Sequence, residues 1–208
     1  MRVDAMWVEL ADEVVVKRTG EALKGRGVHV EFLNSKEEAL KRLTNFIPPG
    51  VDVMTGGSTT LSEIGFVDLL KSGMHPWNNL KNKLVSEKDP QKQDKLRKKS
   101  VTADYFLGSV HAVSQSGEVI VASNTGSQLS SYAFSSSNVV WVVGTQKIVL
   151  NLEEGLRRVR EYCLPLEDKR MKQAGFKGST IGKILIFERE TLPYRTINLI
   201  FVNEKLGF

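Results

Sequence analysis

The sequence predicts an α/β fold, a mainly parallel sheet covered by helices on both faces. Three observations carry that expectation. Val139-Val140-Trp141-Val142-Val143 is apolar at every position, as a strand buried on both faces must be. Val28-His29-Val30-Glu31-Phe32-Leu33 alternates like a half-buried strand. Strand-like runs then alternate with stretches of helical period along most of the 208 residues, the order that βα units produce. A chain of this length is within reach of one domain, and 1–208 reads as such, with a charged insertion or mobile loop at about 74–100.

The elements follow in order. Residues 1–25 read as a helix with Trp7, Leu10, Val14 and Leu23 on its apolar stripe, stopped by Gly25 and Gly27. After the strand 28–33, Ser35 and Glu38 have capping-box spacing, and Ala39, Leu40, Leu43, Phe46 and Ile47 supply a buried face. Pro48-Pro49-Gly50 ends that helix. Val51–Met54 is a short strand, and Thr55–Thr60 turns into a helix bearing Leu61, Ile64, Val67 and Leu70. Residues 74–100 have few apolar positions and read as an insertion, a mobile loop or a solvated helix outside the core. Phe106–Val113 and Glu118–Ala122 read as strands joined by a hairpin turn at Gln115-Ser116-Gly117. A helix is expected near 126–134. Another, capped by Asn151 and Glu154, places Leu152, Leu156, Val159 and Cys163 on one face before Pro165. Strands at 184–187 and 197–202 close the chain.

Charge and cysteine content exclude several classes of function. There are 29 Lys and Arg against 24 Asp and Glu, a formal charge of +5. Residues 79–100 hold eight of the basic and three of the acidic side chains, so the remainder balances at 21 against 21. A protein-wide basic footprint for nucleic acid is missing, and the basic segment lacks interleaved aromatic residues. The single cysteine, Cys163, leaves no intrachain disulfide and no all-cysteine iron–sulfur or zinc site. His29, His75 and His111 have no metal-ligand spacing, so no metal is expected. Charged residues at the N-terminus and the lack of a long apolar run point to a soluble, cytoplasmic protein without a membrane segment.

Two turns could hold chemistry. In Thr55-Gly56-Gly57-Ser58-Thr59-Thr60 the glycines permit a tight turn, and the hydroxyls with the first helical amides suit a phosphate or carboxylate. An ordinary capped strand-to-helix turn has the same features. Ser123-Asn124-Thr125-Gly126-Ser127-Gln128 is a second such turn, and turns at the carboxyl ends of strands form the ligand crevice of open α/β sheets. The ligand-binding candidates are therefore Gly56, Gly57, Ser58, Thr59, Thr60, Asn124, Thr125, Gly126 and Lys147. Catalytic candidates are Glu63, His111 and Lys147. Glu63 also fits a capping box with Thr60, His111 on its strand also reads as a packed or surface histidine, and Lys147 either enters the cleft or is solvated. Cys163 on its helical stripe reads as structural. The glycines at 20, 25 and 27 mimic phosphate-loop motifs, but they lack the following Lys-Ser/Thr and the preceding strand.

Taken together, ordered segments resemble the LUD domain family of lactate-utilisation protein C and its relatives. The carrying residues are Gly57–Gly65, Ala103–Val113, Gly117-Glu118, Thr125-Gly126 and Val143–Val149, continuing through Leu152–Arg160 to Pro165 and Lys169-Arg170. The resemblance spans about residues 35–171. It implies an α/β fold like that of ribose-5-phosphate isomerase, glucosamine-phosphate isomerase and the CoA transferases, in whose isomerase members a turn like Gly56–Thr60 holds a sugar phosphate. It also implies a role as a non-redox subunit in the oxidation of L-lactate, a 2-hydroxy acid, to pyruvate. Iron–sulfur clusters are then expected only in partner subunits, with no cofactor in this chain. The alternative is a stand-alone enzyme that binds a phosphorylated or CoA-linked metabolite at the 56–60 turn. Either way a small anionic metabolite is the expected ligand, and a homo-oligomer is left open. The sequence departs from the family at His111, where many members have Asn, and at Gly126-Ser127-Gln128, where many have Gly-Asn-Arg.

Overall fold

The computed structural model describes residues 7–208. Helix α1 (Glu13–Lys24) begins after Asp12, whose extended backbone (ψ 147°) breaks any continuation from residues 7–11. The helix expected over 1–25 is therefore shorter, and its portion at 1–6 lies outside the described residues. Its buried face is Val16, Thr19, Gly20 and Leu23, while Val14 is 77% and Leu10 43% exposed. Trp7 is buried, but it lies outside the helix. Strand β1 (Val28–Leu33) follows, then α2 (Lys36–Phe46), where Ser35 Oγ accepts from the Glu38 amide and Glu38 accepts from the Asn34 amide.

After β2 (Asp52–Thr55), the single helix expected next is two. Helix α3 (Thr59–Glu63) ends before Gly65, whose φ of 81° no regular right-handed helix can include, and α4 (Phe66–Ser72) restarts the chain in a new direction. The charged segment is mostly helical. Strand β3 (Asn78–Asn79) pairs with β2, and helices α5 (Leu80–Ser86) and α6 (Pro90–Ser100) follow, capped by the side chains of Asn79 and Asp89. Trp77 and Leu84 are buried in the core, so the segment is not wholly outside it.

The strand expected over 106–113 divides between two sheets: β4 (Tyr105–Gly108) and, after a break at Ser109–His111, β5 (Ala112–Ser114). The hairpin from β5 to β6 (Val119–Ser123) forms as expected. A helical turn ending in a π-type turn at Ser131–Ser135 leads to β7 (Asn138–Gly144), then a 3₁₀ turn (Thr145–Lys147) to β8 (Ile148–Val149). Helices α7 (Leu152–Arg158) and α8 (Leu164–Gln173) are joined by a π-type turn, Val159–Cys163. Pro165 therefore does not end the helix. It sits in the first turn of α8, where the wider π turn has already released the bond its missing N–H would make. Strands β9 (Lys183–Phe187) and β10 (Thr196–Val202) complete the chain.

The main sheet has the order β1-β10-β7-β4-β2-β3, and every pairing is parallel. A smaller sheet has the order β8-β5-β6-β9. Alternation along β7 sets the layers. Val139, Trp141 and Val143 face one core with α1, Leu84 and the inner side of the small sheet, while Val140 and Val142 face another with α2, α3 and α4. A third core lies between the far side of the small sheet and α7 with its π turn, and includes Trp7. Arg195 ties these layers together: it is buried, pairs with Glu190, and donates to the carbonyls of Ser131, Tyr132 and Ser136. Among the described residues no helix is long and apolar enough to cross a membrane.

Candidate functional site

Two corners meet at the carboxyl ends of β2, in the parallel sheet, and β6, in the small sheet. On the first, the chain leaves β2 through Gly56-Gly57 and enters α3, with Ser58 Oγ accepting from the Leu61 amide at 3.2 Å. On the second, Ser123 Oγ accepts from the Gly126 amide at 3.0 Å. A Cβ on Gly56 would stand 2.3 Å from Gln128 Oε1, so the two corners are in contact there and a side chain at 56 would displace the Gln128 amide. Between them opens a recess of about 260 Å³. Gly57, Ser58, Thr59 and Thr60 line it from one side, Asn124 and Thr125 from the other, with Lys147 and His111 also on its wall. Gly56 faces a neighbouring recess instead, and Gly126 lines neither, its α-carbon packed on Lys183.

Lys147 reaches the recess because β7 ends in a tight 3₁₀ turn that folds the side chain inward. It is 2% exposed. Its Nζ donates to Thr60 Oγ1 and Ser109 Oγ, each at 3.1 Å, and Thr60 in turn donates to the Leu206 carbonyl at 3.2 Å. No carboxylate lies within ion-pairing distance among the described residues. Burial, aided by the nearby Arg158, pushes its pKa down to about 7, against the smaller opposing pull of Cys163 and Glu63. Near neutral pH the group therefore exists both as an ammonium and as an amine with a free lone pair.

Arg158 is fully buried and also has no acid paired with it among the described residues; it donates to the His111 carbonyl, to Cys163 Sγ at 3.0 Å and to the Trp7 carbonyl at 3.4 Å. His111 is not on a strand but in the crossing between the two sheets. Its Nδ1 accepts from the Ala122 amide at 3.1 Å. Burial first, then the charges of Lys147 and Arg158, push its pKa down to about 3, so the ring is neutral and its proton is on Nε2. A neutral ring bonded this way offers one acceptor and one donor, the same pair as an asparagine amide. Cys163 lines the recess as well, with burial raising its thiol pKa and keeping it protonated.

Glu63 is not on the recess wall. Its carboxylate accepts from the Gly207 amide at 2.6 Å, and Thr60 is not a helix cap, since Ser58 takes that place. Helix α3 has only five residues, so its dipole is short, and the positive charge at the recess comes from Lys147 and Arg170 on its wall with Arg158 close to Lys147. Residues that sequence reasoning passed over are Ser109, Arg158, Phe208 and the Leu206 carbonyl. Only Arg158 left a signal: an arginine on the apolar side of a helix whose other residues there are Leu and Val.

A family model described as the LUD domain matches residues 16–190. The fold is similar to the crystal structure of a DUF162 family protein from Deinococcus radiodurans, with a TM-score of 0.57 at 12% identity, covering 94% of this chain and 100% of the other. At that identity the likeness speaks for the fold alone. Among curated proteins no sequence matches.

Proposed function

Because the chain belongs to the LUD domain family, we propose that it serves the oxidation of L-lactate, or a related 2-hydroxy acid, to the 2-oxo acid, as the subunit that holds the substrate. The observation that supports this reading is the buried, acid-free Lys147 among hydroxyl groups at the meeting of two turns. A carboxylate fits the hydroxyls of Ser58 and Thr59. The substrate hydroxyl, set against Lys147 Nζ, gives its proton to the free amine, while the neutral His111 donates from Nε2 to the same oxygen. Oxidation to the ketone also breaks the C2–H bond, its two electrons passing to the partner proteins and its proton to solvent. Iron–sulfur clusters of partner proteins supply the electron acceptor; one cysteine cannot ligate such a cluster here.

The test is binding by the purified chain followed by turnover with its partners. Pyruvate and L-lactate should protect the wild type from thermal unfolding, the Lys147→Met variant should lose that protection, and tagged protein from native cells should carry iron–sulfur proteins with lactate-oxidising activity. Absence of binding, or equal binding by the variant, overturns the reading. A second reading, a stand-alone enzyme for a phosphorylated or CoA-linked metabolite, is favoured by the size of the recess, which exceeds what a three-carbon acid fills. Turnover of such a metabolite without any partner would select it.

A further inference from the structure

Behind the Gly56-Gly57 turn lies a second recess of about 260 Å³, flanked by Lys81 of α5 and Arg97 of α6. We propose that it is a phosphate subsite for a small phosphorylated ligand, with Lys81 and Arg97 as the paired cations. Of the eight basic side chains in residues 79–100, only Lys81 is turned inward and shielded; the rest are exposed. Neither Lys81 nor Arg97 has a side-chain acceptor among the described residues. Burial and the neighbouring Arg97 both disfavour the charged form of Lys81, so the protein holds two like charges together without an acid to relieve them. A doubly charged phosphate between them removes that repulsion and takes bidentate bonds from the guanidinium.

The surroundings are built. Leu84 anchors α5 in the core, and Gln93 Nε2 donates to the carbonyls of Leu84 and Glu87, both at 3.3 Å, holding α6 against α5. The recess floor is apolar, from Met54, Leu84 and Phe106, with hydroxyls at its rim, the mixture typical of small-molecule sites. Gly57, Thr125, Ser127 and Gln128 line both this recess and the one that holds Lys147. The partition between them is thin, and Gln128 is tethered only by a 3.5 Å bond to the Ala122 carbonyl. A phosphorylated ligand seated here is separated from the Lys147 recess by these four residues.

The experiment titrates the full chain with inorganic pyrophosphate, CoA, pantetheine and a mixed-sequence single-stranded RNA at physiological salt, reading thermal unfolding and heat of binding. Pyrophosphate and CoA should bind, pantetheine should not, and Lys81→Ala/Arg97→Ala should weaken both by about tenfold or more. Arg97 is exposed and Lys81, though shielded, makes no side-chain bond to an acid, so the double variant should fold, which unchanged circular dichroism verifies. Lys147→Met should keep pyrophosphate binding, which separates this proposal from the lactate reading. Tighter binding of CoA than of pyrophosphate identifies a tethered phosphate as the source, and the reverse a free one. No binding of either, binding that the double variant retains, or binding of RNA alone overturns the proposal.

Discussion

Replacing Lys147 with methionine should make the protein more stable, and more so at low pH. The ammonium is buried without a counter-charge, and its pKa falls from 10.5 to about 7 on folding. Between those values the unfolded chain binds a proton that the folded one does not, so stability rises with pH from about 7 upward and the contribution is lost as pH falls through 7. At roughly 1.4 kcal/mol per pH unit, the wild type gains about 3 kcal/mol between pH 6 and pH 9 from this group alone. Methionine fills similar space without the charge, and apolar replacements of buried ions are often stabilising by about 1–4 kcal/mol. Urea unfolding of both proteins at pH 6 and pH 9 reads the effect, since titrating groups that do not feel the Lys147 charge cancel in the difference. The stability gap should be largest at pH 6 and shrink by about 3 kcal/mol at pH 9. A gap that does not change with pH would refute the reasoning, because the ammonium would then have a partner or water.

Three further outcomes follow from the geometry. Glu190→Gln strands the buried Arg195 guanidinium and should cost about 3–5 kcal/mol in urea unfolding. His111→Asn keeps an acceptor for the Ala122 amide and should preserve ligand binding, whereas His111→Leu leaves that amide unpaired, at about 1–3 kcal/mol, and should lose it; because the ring is neutral down to about pH 3, wild-type binding should show no histidine titration between pH 5 and 8. Gly108→Ala drives a methyl to 1.8 Å from the buried Tyr132 hydroxyl and should cost about 1–3 kcal/mol, part of which Tyr132→Phe restores in the double variant.

The periodic elements were legible because burial imposes its pattern on them directly. β7 is apolar on both faces since a core lies on each side, and the Ser35–Glu38 and Asn151–Glu154 spacings cap helices where they stand. Tertiary choices were not legible. Nothing local marks Ser109–His111 as the crossing between two sheets, because the residues on either side alternate like one strand. Likewise Val14 looks apolar in any window, yet only the packed sheet decides that Val16 and Thr19 are the buried ones. The two turns were legible as turns, from their glycines and hydroxyls. Arg158 and Ser109, which govern Lys147, come from elsewhere in the chain and are brought to it by the fold alone.

The position of β10 has a practical consequence. Among the described strands it is the sole neighbour of β1 and separates it from β7, and the residues just beyond it supply the Leu206 carbonyl to Thr60 and Gln146 and the Gly207 amide to Glu63. A break engineered between Phe187 and Thr196 would thus yield a large piece with a vacant slot between β1 and β7 and a short peptide able to fill it. Joining the two would restore the sheet and the lysine recess in a single event, so the pair is a natural starting point for a split sensor whose assembly reports on ligand.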